Sequence, residues 1–270
     1  GKVHRAERAQ AGRFREFYQC DIDVIGSESV AVDAEFPAAI NDIFEQFGFG
    51  EFTIHINNRL VLNGFFAGIG LANVSAEVLR VIDKIEKISR NDFVAELSEL
   101  GLSEQQIAQV IAFTEISGAN DEILEKLDSI KSEIDSDDFA CGVDKLRELI
   151  AVLRTMGLSE SRIQLDLRIA RGLDYYTGVV YETTLDDYPE VGSVCSGGRY
   201  DNLAENYTRT RLPGVGVSIG LSRLFYKLRE AGVVSGRQQT MARCMVMDFD
   251  GSQLGEALQV SAELRRVGMA

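Results

Sequence analysis

The 270-residue chain is 45% hydrophobic and 26% charged, which suits a globular protein with a sizeable core and, on length, about two domains. Its net charge of −14 excludes passive whole-surface binding of nucleic acid, and no apolar run approaches the ~18 residues of a membrane helix. Cys20, Cys141, Cys195 and Cys244 form no Cys-x-x-Cys or Cys/His pair at ligand spacing, so no protein-bound metal is expected, and reduced thiols in a cytoplasmic protein are the simplest account.

Charge is uneven along the chain. Residues 1–15 carry Lys2, Arg5, Arg8, Arg13 and Arg15 against Glu7, a local +4 that leaves −18 for the rest. Gly12 marks a loop between two extended runs. In the second run Phe17, Gln19, Asp21 and Asp23 share one face, and Tyr18, Cys20 and Ile22 form an apolar reverse. The block reads either as a charged surface hairpin or as the floor of a polar pocket in which Arg5 and Arg8 meet phosphates as forked donors.

A helix is predicted over residues 33–47, from Ile40, Ile43, Phe44 and Phe47 at helical spacing with Gly48 as its stop. Phe52, Ile54 and Ile56 alternate as a strand, which puts His55 on the opposite face as a partly buried structural histidine. Asn57-Asn58 turns into a helix over residues 60–71, and Val78, Val81, Ile82 and Ile85 mark another. Residues 89–136 read as a small helical insertion, with a capping box at Ser103-Glu104-Gln105-Gln106; Asp135, Asp137 and Asp138 read as a solvated linker. A long helix follows over residues 139–156, and residues 162–169 then alternate strictly as a strand.

That strand leads into Arg171-Gly172-Leu173-Asp174-Tyr175-Tyr176-Thr177-Gly178, a cation, a carboxylate, three hydroxyls and two glycines in eight residues. Residues 179–183 continue as a strand. Cys195-Ser196-Gly197-Gly198-Arg199-Tyr200-Asp201 reads as a second loop rich in hydrogen-bonding groups, whose glycines would let a small substrate lie against the backbone. Residues 213–224 give a strand with alternating small residues and then a helix bearing Arg223; no acidic residue follows at the distance a dinucleotide fingerprint requires. Residues 232–239 read as a linker, 242–247 as a strand and Leu254–Arg266 as a helix.

Taken together, the block from Arg5 to Asp23, the octet, the Ser196–Asp201 run and the Gly-strand-helix-Arg223 unit resemble, in order, motifs of histidyl-tRNA synthetases, a class II aminoacyl-tRNA synthetase family. The first block is similar to motif 2 (Arg5-Ala6-Glu7, a loop, then Arg13 to Asp23) and the last to motif 3, although the family usually has an acidic residue where Ser222 stands. The resemblance implies an α+β fold, a mostly antiparallel sheet flanked by helices with a helical insertion. It divides the chain into a catalytic core at 1–88 and 137–231, the insertion at 89–136, and a linker with the start of an anticodon-binding domain at 232–270.

The implied activity is ATP-dependent conversion of L-histidine to histidyl-adenylate, then transfer to the 3′ end of histidine tRNA. ATP enters as its Mg2+ complex and there is no prosthetic group. Arg5 and Arg171 would hold the α-phosphate, with Glu7, Arg13, Phe17 and Arg223 completing the ATP site, the last two sandwiching adenine. Asp23 and Tyr176 would meet the imidazole nitrogens, while Gln19, Arg171, Tyr175, Gly197 and Gly198 would line the same pocket. Arg8 and Gln10 would face the tRNA acceptor end. The family's motif 1 and most of its anticodon domain have no counterpart here, so a homodimer is expected of the full-length protein and the isolated chain is expected to be incomplete and inactive by itself. Two rival readings stand beside this one: a non-catalytic regulatory or histidine-sensing relative, a class that tends to lose the octet intact here, and an unrelated acidic α/β binding module.

Overall fold

The computed structural model describes residues 1–6, 12, 14–85, 87–170, 175–206, 210–234 and 242–269. They form two compact units, Gly1–Lys227 and Leu228–Ala270. In the first, β1 (Lys2–His4) and β2 (Glu16–Tyr18) pair as an antiparallel hairpin. β3 (Cys20–Ile25), α1 (Val30–Phe47), β4 (Phe52–Asn58), α2 (Arg59–Gly68) and α3 (Ser75–Ile82) follow. Then come α4 (Arg90–Glu99), α5 (Glu104–Thr114), α6 (Asn120–Lys131), α7 (Asp137–Thr155) and β5 (Ile163–Leu165). β6 (Val179–Leu185), β7 (Cys195–Arg199), β8 (Gly214–Ile219) and α8 (Leu221–Glu230) complete the series up to the second unit, which holds α9 (Leu254–Arg266).

Six strands form one sheet in the order β3-β8-β7-β6-β4-β5, antiparallel throughout except for the parallel β4/β5 edge. The mostly antiparallel sheet with flanking helices is therefore present as expected. Its two faces differ in chemistry. Across the strands, Val217, Tyr181, Ile56 and Leu165 align in register, as do Ile219, Cys195, Thr183, Ile54 and Ile163, and all are buried. α1, α2 and α7 pack against the sheet, and the Tyr181 hydroxyl donates to Asp33 O on α1 at 2.7 Å, which places the helices on this apolar face. Because side chains alternate along a strand, Asp21, Ser218, Ser196, Glu182, His55 and Gln164 form a register row on the other face.

Local signals account for the helix ends. Ser29 caps α1 by accepting from Ala31 N, and Gly48 ends it at φ 66°, a left-handed conformation that costs glycine little. Asn58 caps α2, and the Ser103/Gln106 capping box at α5 is formed. α2 and α7 cross closely because each presents a glycine to the other: a Cβ on Gly64 would lie 2.3 Å from Phe139 N, and one on Gly142 2.7 Å from Val61 N.

Several expectations are corrected. The strand predicted at 162–169 ends at Leu165, since the Asp166 carboxylate accepts from the Arg168 backbone N–H at 3.0 Å and folds the chain into a turn. The run through Gln19 is two strands in two sheets, and its apolar reverse is open to solvent, with Tyr18 49% and Ile22 41% exposed. Asp137 and Asp138 form the first turn of α7, where the helix dipole favours them, rather than a linker. Gly197 and Gly198 lie inside β7, not in a loop. Residues 242–247 form no strand, because no neighbouring segment among the described residues supplies the ladder partner a strand needs, and Met245 and Met247 are exposed. The linker predicted at 232–239 falls largely outside the described residues. Among those described, no helix is long and apolar enough to cross a membrane.

The helix crossing yields the first prediction. Gly142→Ala forces a methyl into the α2 backbone and should destabilise the protein by ~1–3 kcal/mol, read as a lowered urea midpoint with unchanged m-value.

Candidate active site

The polar face of the sheet floors a cavity of about 890 Å3. Arg5, Gly12, Phe14, Phe17 and Gln19 border it from the hairpin side, Gly220 and Arg223 from the β8–α8 corner, and Tyr175 and Tyr176 from the segment before β6. Gln19 falls between β2 and β3, and its side-chain amide donates to Ser218 Oγ on the floor at 2.7 Å. Ser222 accepts from Tyr18 N at 2.9 Å and so ties the start of α8 to β2. The Arg5 guanidinium lies 5.4 Å from the centre of the Phe17 ring. A cation and a flat ring thus share one wall of the cavity, a surface suited to a planar, negatively charged ligand.

Three side chains at this end of the polar face, one of them (Tyr176) lining the cavity, are seated by glycines. A Cβ at Gly216 would lie 1.9 Å from Asp23 Oδ1, one at Gly214 would lie 2.4 Å from the Tyr200 ring, and one at Gly198 would lie 2.9 Å from the Tyr176 ring. Gly197 contacts the neighbouring strand instead, where a Cβ would sit 2.0 Å from Gly216 O. The space beside both β7 glycines is thus taken by protein, and the substrate-facing role expected of them has no open surface directly over their Cα atoms. The Tyr200 hydroxyl donates to Asp23 Oδ1 at 2.5 Å, and the Tyr175 and Tyr176 rings lie 4.5 Å apart.

The stretches carrying these tyrosines are pinned together underneath. Thr177 N donates to Arg199 O at 2.8 Å, and Thr177 Oγ1 donates to Asp201 Oδ2 at 2.8 Å. The buried Arg199 guanidinium donates to Asp33 Oδ1 on α1 through Nη2 at 2.6 Å and to Asp201 Oδ1 through Nη1 at 3.1 Å. Burial raises the Asp33 carboxyl pKa against the pull of Arg199. The Arg199-Tyr200-Asp201 run therefore acts as a clamp: Arg199 holds α1, Tyr200 holds Asp23 and Asp201 holds Thr177.

Beyond Ser196 the floor continues through Glu182, Thr184 and His55, all lining the cavity. His55 Nε2 lies 3.1 Å from Thr184 Oγ1, and Nδ1 lies 3.4 Å from Asp166 Oδ2. His55 is thus half-buried, as expected, but at the cavity. Burial alone would raise the Asp166 carboxyl pKa; the hydrogen bonds from His55 and Arg168 and the Arg168 charge outweigh it and hold the group well below the usual carboxylate range.

Of the residues expected at the site, Arg5, Phe17, Gln19, Tyr175, Tyr176 and Arg223 line the cavity; Asp23 does not line it but lies on the edge strand β3, paired with Gly216 of β8. Glu7, Arg8, Gln10, Arg13 and Arg171 lie outside the described residues. Sequence reasoning passed over Ser196, Ser218, Glu182, Thr184, Asp166 and the Tyr200–Asp23 bond. The alternation of polar with β-branched or apolar residues in β6 and β8 was a usable signal for Ser218, Glu182 and Thr184.

Asp166 supplies a pH test. Its depressed folded-state pKa stabilises the protein above the ordinary aspartate value of ~4, and the contribution fades as pH falls through the folded value. Asp166→Asn should therefore lower stability at pH 7, and the gap to wild type in urea unfolding should narrow below about pH 4.

A sequence profile of the histidyl-tRNA synthetase family matches residues 1–224. The chain is 49% identical over 267 residues to the histidine–tRNA ligase of Clostridium tetani, covering 98% of this chain and 60% of that protein. It is 45% identical over 278 residues to the ligase of Xanthomonas axonopodis pv. citri, covering 99% and 58%. The crystal structure of histidyl-tRNA synthetase from Nostoc sp. PCC 7120 superposes with a TM-score of 0.83 at 39% identity, covering all of this chain and 62% of that one. A Bacillus halodurans structure titled as an ATP phosphoribosyltransferase regulatory subunit/histidyl-tRNA synthetase shares the fold, with a TM-score of 0.70 at 20% identity. The chain spans about 60% of the length of the curated relatives it matches.

Proposed function

The chain belongs to the histidyl-tRNA synthetase family, and from that premise we propose that it carries the amino-acid activation site of a histidine–tRNA ligase. The observation that carries this reading is the seating of Asp23 and the Tyr176 ring by glycines beside one cavity, with Arg5, Phe17 and Arg223 on its walls. An imidazole has two ring nitrogens to satisfy. Asp23 accepts from one, and the Tyr176 hydroxyl pairs with the other. A ring without those nitrogens leaves the polar groups of the site unpaired, which is how such a pocket rejects isosteres.

Activation needs no general base. The histidine carboxylate attacks the α-phosphorus of ATP, the bond to the β-phosphate bridging oxygen breaks, and pyrophosphate leaves with the electron pair. What the protein supplies is alignment and stabilisation of charge on the α-phosphate. Arg5 and Arg171 take the charge role, and adenine stacks between Phe17 and Arg223. Gln19 stands nearest the amino group of histidine, with Tyr175 beside it. Glu7 and Arg13 complete the ATP site, and ATP enters as its Mg2+ complex. In the second step a ribose hydroxyl at the 3′ end of histidine tRNA attacks the activated carboxyl and AMP leaves; Arg8 and Gln10 face that acceptor end.

The domain reading is likewise a proposal: catalytic core at 1–88 and 137–231, helical insertion at 89–136, and the opening of an anticodon-binding domain at 232–270. So are a homodimeric whole protein and a cytoplasmic location.

Amino-acid-dependent ATP–pyrophosphate exchange on the intact protein, run with each of the twenty amino acids, tests the reading. Exchange with histidine alone is expected, and Arg171→Ala should reduce it by at least ~10²-fold with the fold kept. A folded protein that binds histidine but exchanges with no amino acid would instead favour a regulatory or sensing role.

A further inference from the structure

Arg59 is a buried cation that the proposed chemistry leaves unused. It opens α2, and only 5% of it is exposed. Burying a guanidinium costs free energy, and the positive end of a helix dipole is an unfavourable place for a cation. α2 therefore gains nothing from the dipole by starting on an arginine. What the residue does is hold chain. Its Nη1 donates to Ala170 O at 2.8 Å, and its backbone N–H donates to Gly178 O at 2.8 Å. Those carbonyls belong to the residue just before the octet Arg171–Gly178 and to its last residue. Asn57, fully buried on β4, adds a third bond: its side-chain amide donates to Ile169 O at 3.0 Å, while its Oδ1 accepts from Asn58 N at 2.8 Å. The anchor is firm. Asn58 caps α2 by accepting from Leu60 N at 2.9 Å, and α2 is locked to α7 by the close crossing at Gly64 and Gly142.

We propose that Arg59 and Asn57 are positioning residues for the activation step: from the β4–α2 corner they fix both ends of the octet, and so set where Arg171 meets the α-phosphate. The inference rests on the reading of Arg171 as a charge-bearing group of the activation site. Residues 171–174 lie outside the described residues, and the anchors lie on either side of them. A loop pinned at one end swings about that end; pinned at both, it has a fixed span and fewer shapes. The Gly178 end is also held through Thr177, which bonds Arg199 O and Asp201. At the other end, the bonds from Asn57 and Arg59 hold Ile169 and Ala170 directly before the Arg171 cation. The Arg59 guanidinium thus acts on Arg171 through one peptide unit, and its loss falls on the rate of the chemical step.

Arg59→Met in the intact protein keeps bulk at the corner and the backbone bond to Gly178, and removes the bond to Ala170. In ATP–pyrophosphate exchange with histidine, kcat should fall about 30-fold, with the KM for ATP within about 3-fold of wild type and the circular dichroism of the fold kept. A double-mutant cycle separates positioning from support of the fold. In an Arg171→Ala background no guanidinium is left to place, and Arg59→Met should cost less than about 3-fold. The whole 30-fold loss in that background, or an unchanged kcat in a folded variant, would overturn the inference. Arg59→Lys is the second variant, for the case in which Arg59→Met does not fold. It keeps the charge, but its ammonium ends short of the place of Nη1, and a loss of about 10-fold with the same non-additivity is expected. Failure of both variants to fold also overturns the inference, because the residue then serves the fold alone. Wild-type exchange with histidine runs alongside. Wild type that exchanges with no amino acid removes the activation reading and this inference with it; active wild type with an unaffected Arg59→Met removes this inference alone.

Discussion

Asp23, Tyr176 and Tyr200 can lie against a β-sheet at van der Waals distance only because the strand positions beneath them, Gly216, Gly198 and Gly214, carry no Cβ. A strand normally fills its surface with its own side chains, and glycine in a strand interior weakens it through entropy and lost packing. Here β7 and β8 are the two strands next to the β3 edge, and both accept that cost where one face must hold a cavity. The opposite face compensates with Val215, Val217, Ile219 and Cys195, all buried. One face carries the stability and the other carries the chemistry, and the twofold alternation of the strand keeps them apart.

The same division explains the clamp beneath the pocket. Arg199 alternates onto the helix side of β7 and pairs there with Asp33 of α1, while its neighbour Tyr200 reaches the pocket side. Arg199 also bonds Asp201, which bonds Thr177, so the end of β7, the segment entering β6 and helix α1 are held by one buried guanidinium. Such an arrangement is costly to desolvate and costly to break, which suits a device whose task is to fix geometry rather than to add stability. The polar pocket groups thus rest on a rigid layer, as positioning chemistry requires.

Helices and their ends were the most legible parts of the sequence. Ser103 with Gln106, Gly48 after Phe47 and the period of α7 each act locally, so a linear reading finds them. The edge of the sheet was harder. Asp166 continues the alternation of Ile163 and Leu165, yet its carboxylate captures the Arg168 N–H and turns the chain, an outcome decided by local hydrogen bonding against pattern. Residues 242–247 have strand-like composition, but a strand is a pairing and no single segment encodes its partner. At the site, Arg5, Gln19, Asp23 and Tyr176 were found through motif resemblance. Ser218 and Glu182 were not, because only the register of five strand pairs brings them into one row; Thr184 lies two residues along β6 from Glu182 on the same face. Gly197 and Gly198 were read as room for substrate; Gly198 makes room for the Tyr176 ring and Gly197 for the backbone of β8, and nothing in a run such as Ser196-Gly197-Gly198 distinguishes these uses.

The most direct measurement is a crystal structure of the intact protein with L-histidine and a non-hydrolysable ATP analogue. The account predicts the imidazole between Asp23 and Tyr176, the adenine between Phe17 and Arg223, and Asp23 still bonded to the Tyr200 hydroxyl. Histidine bound away from the glycine-seated side chains, or an imidazole that makes no contact with Asp23, would contradict it.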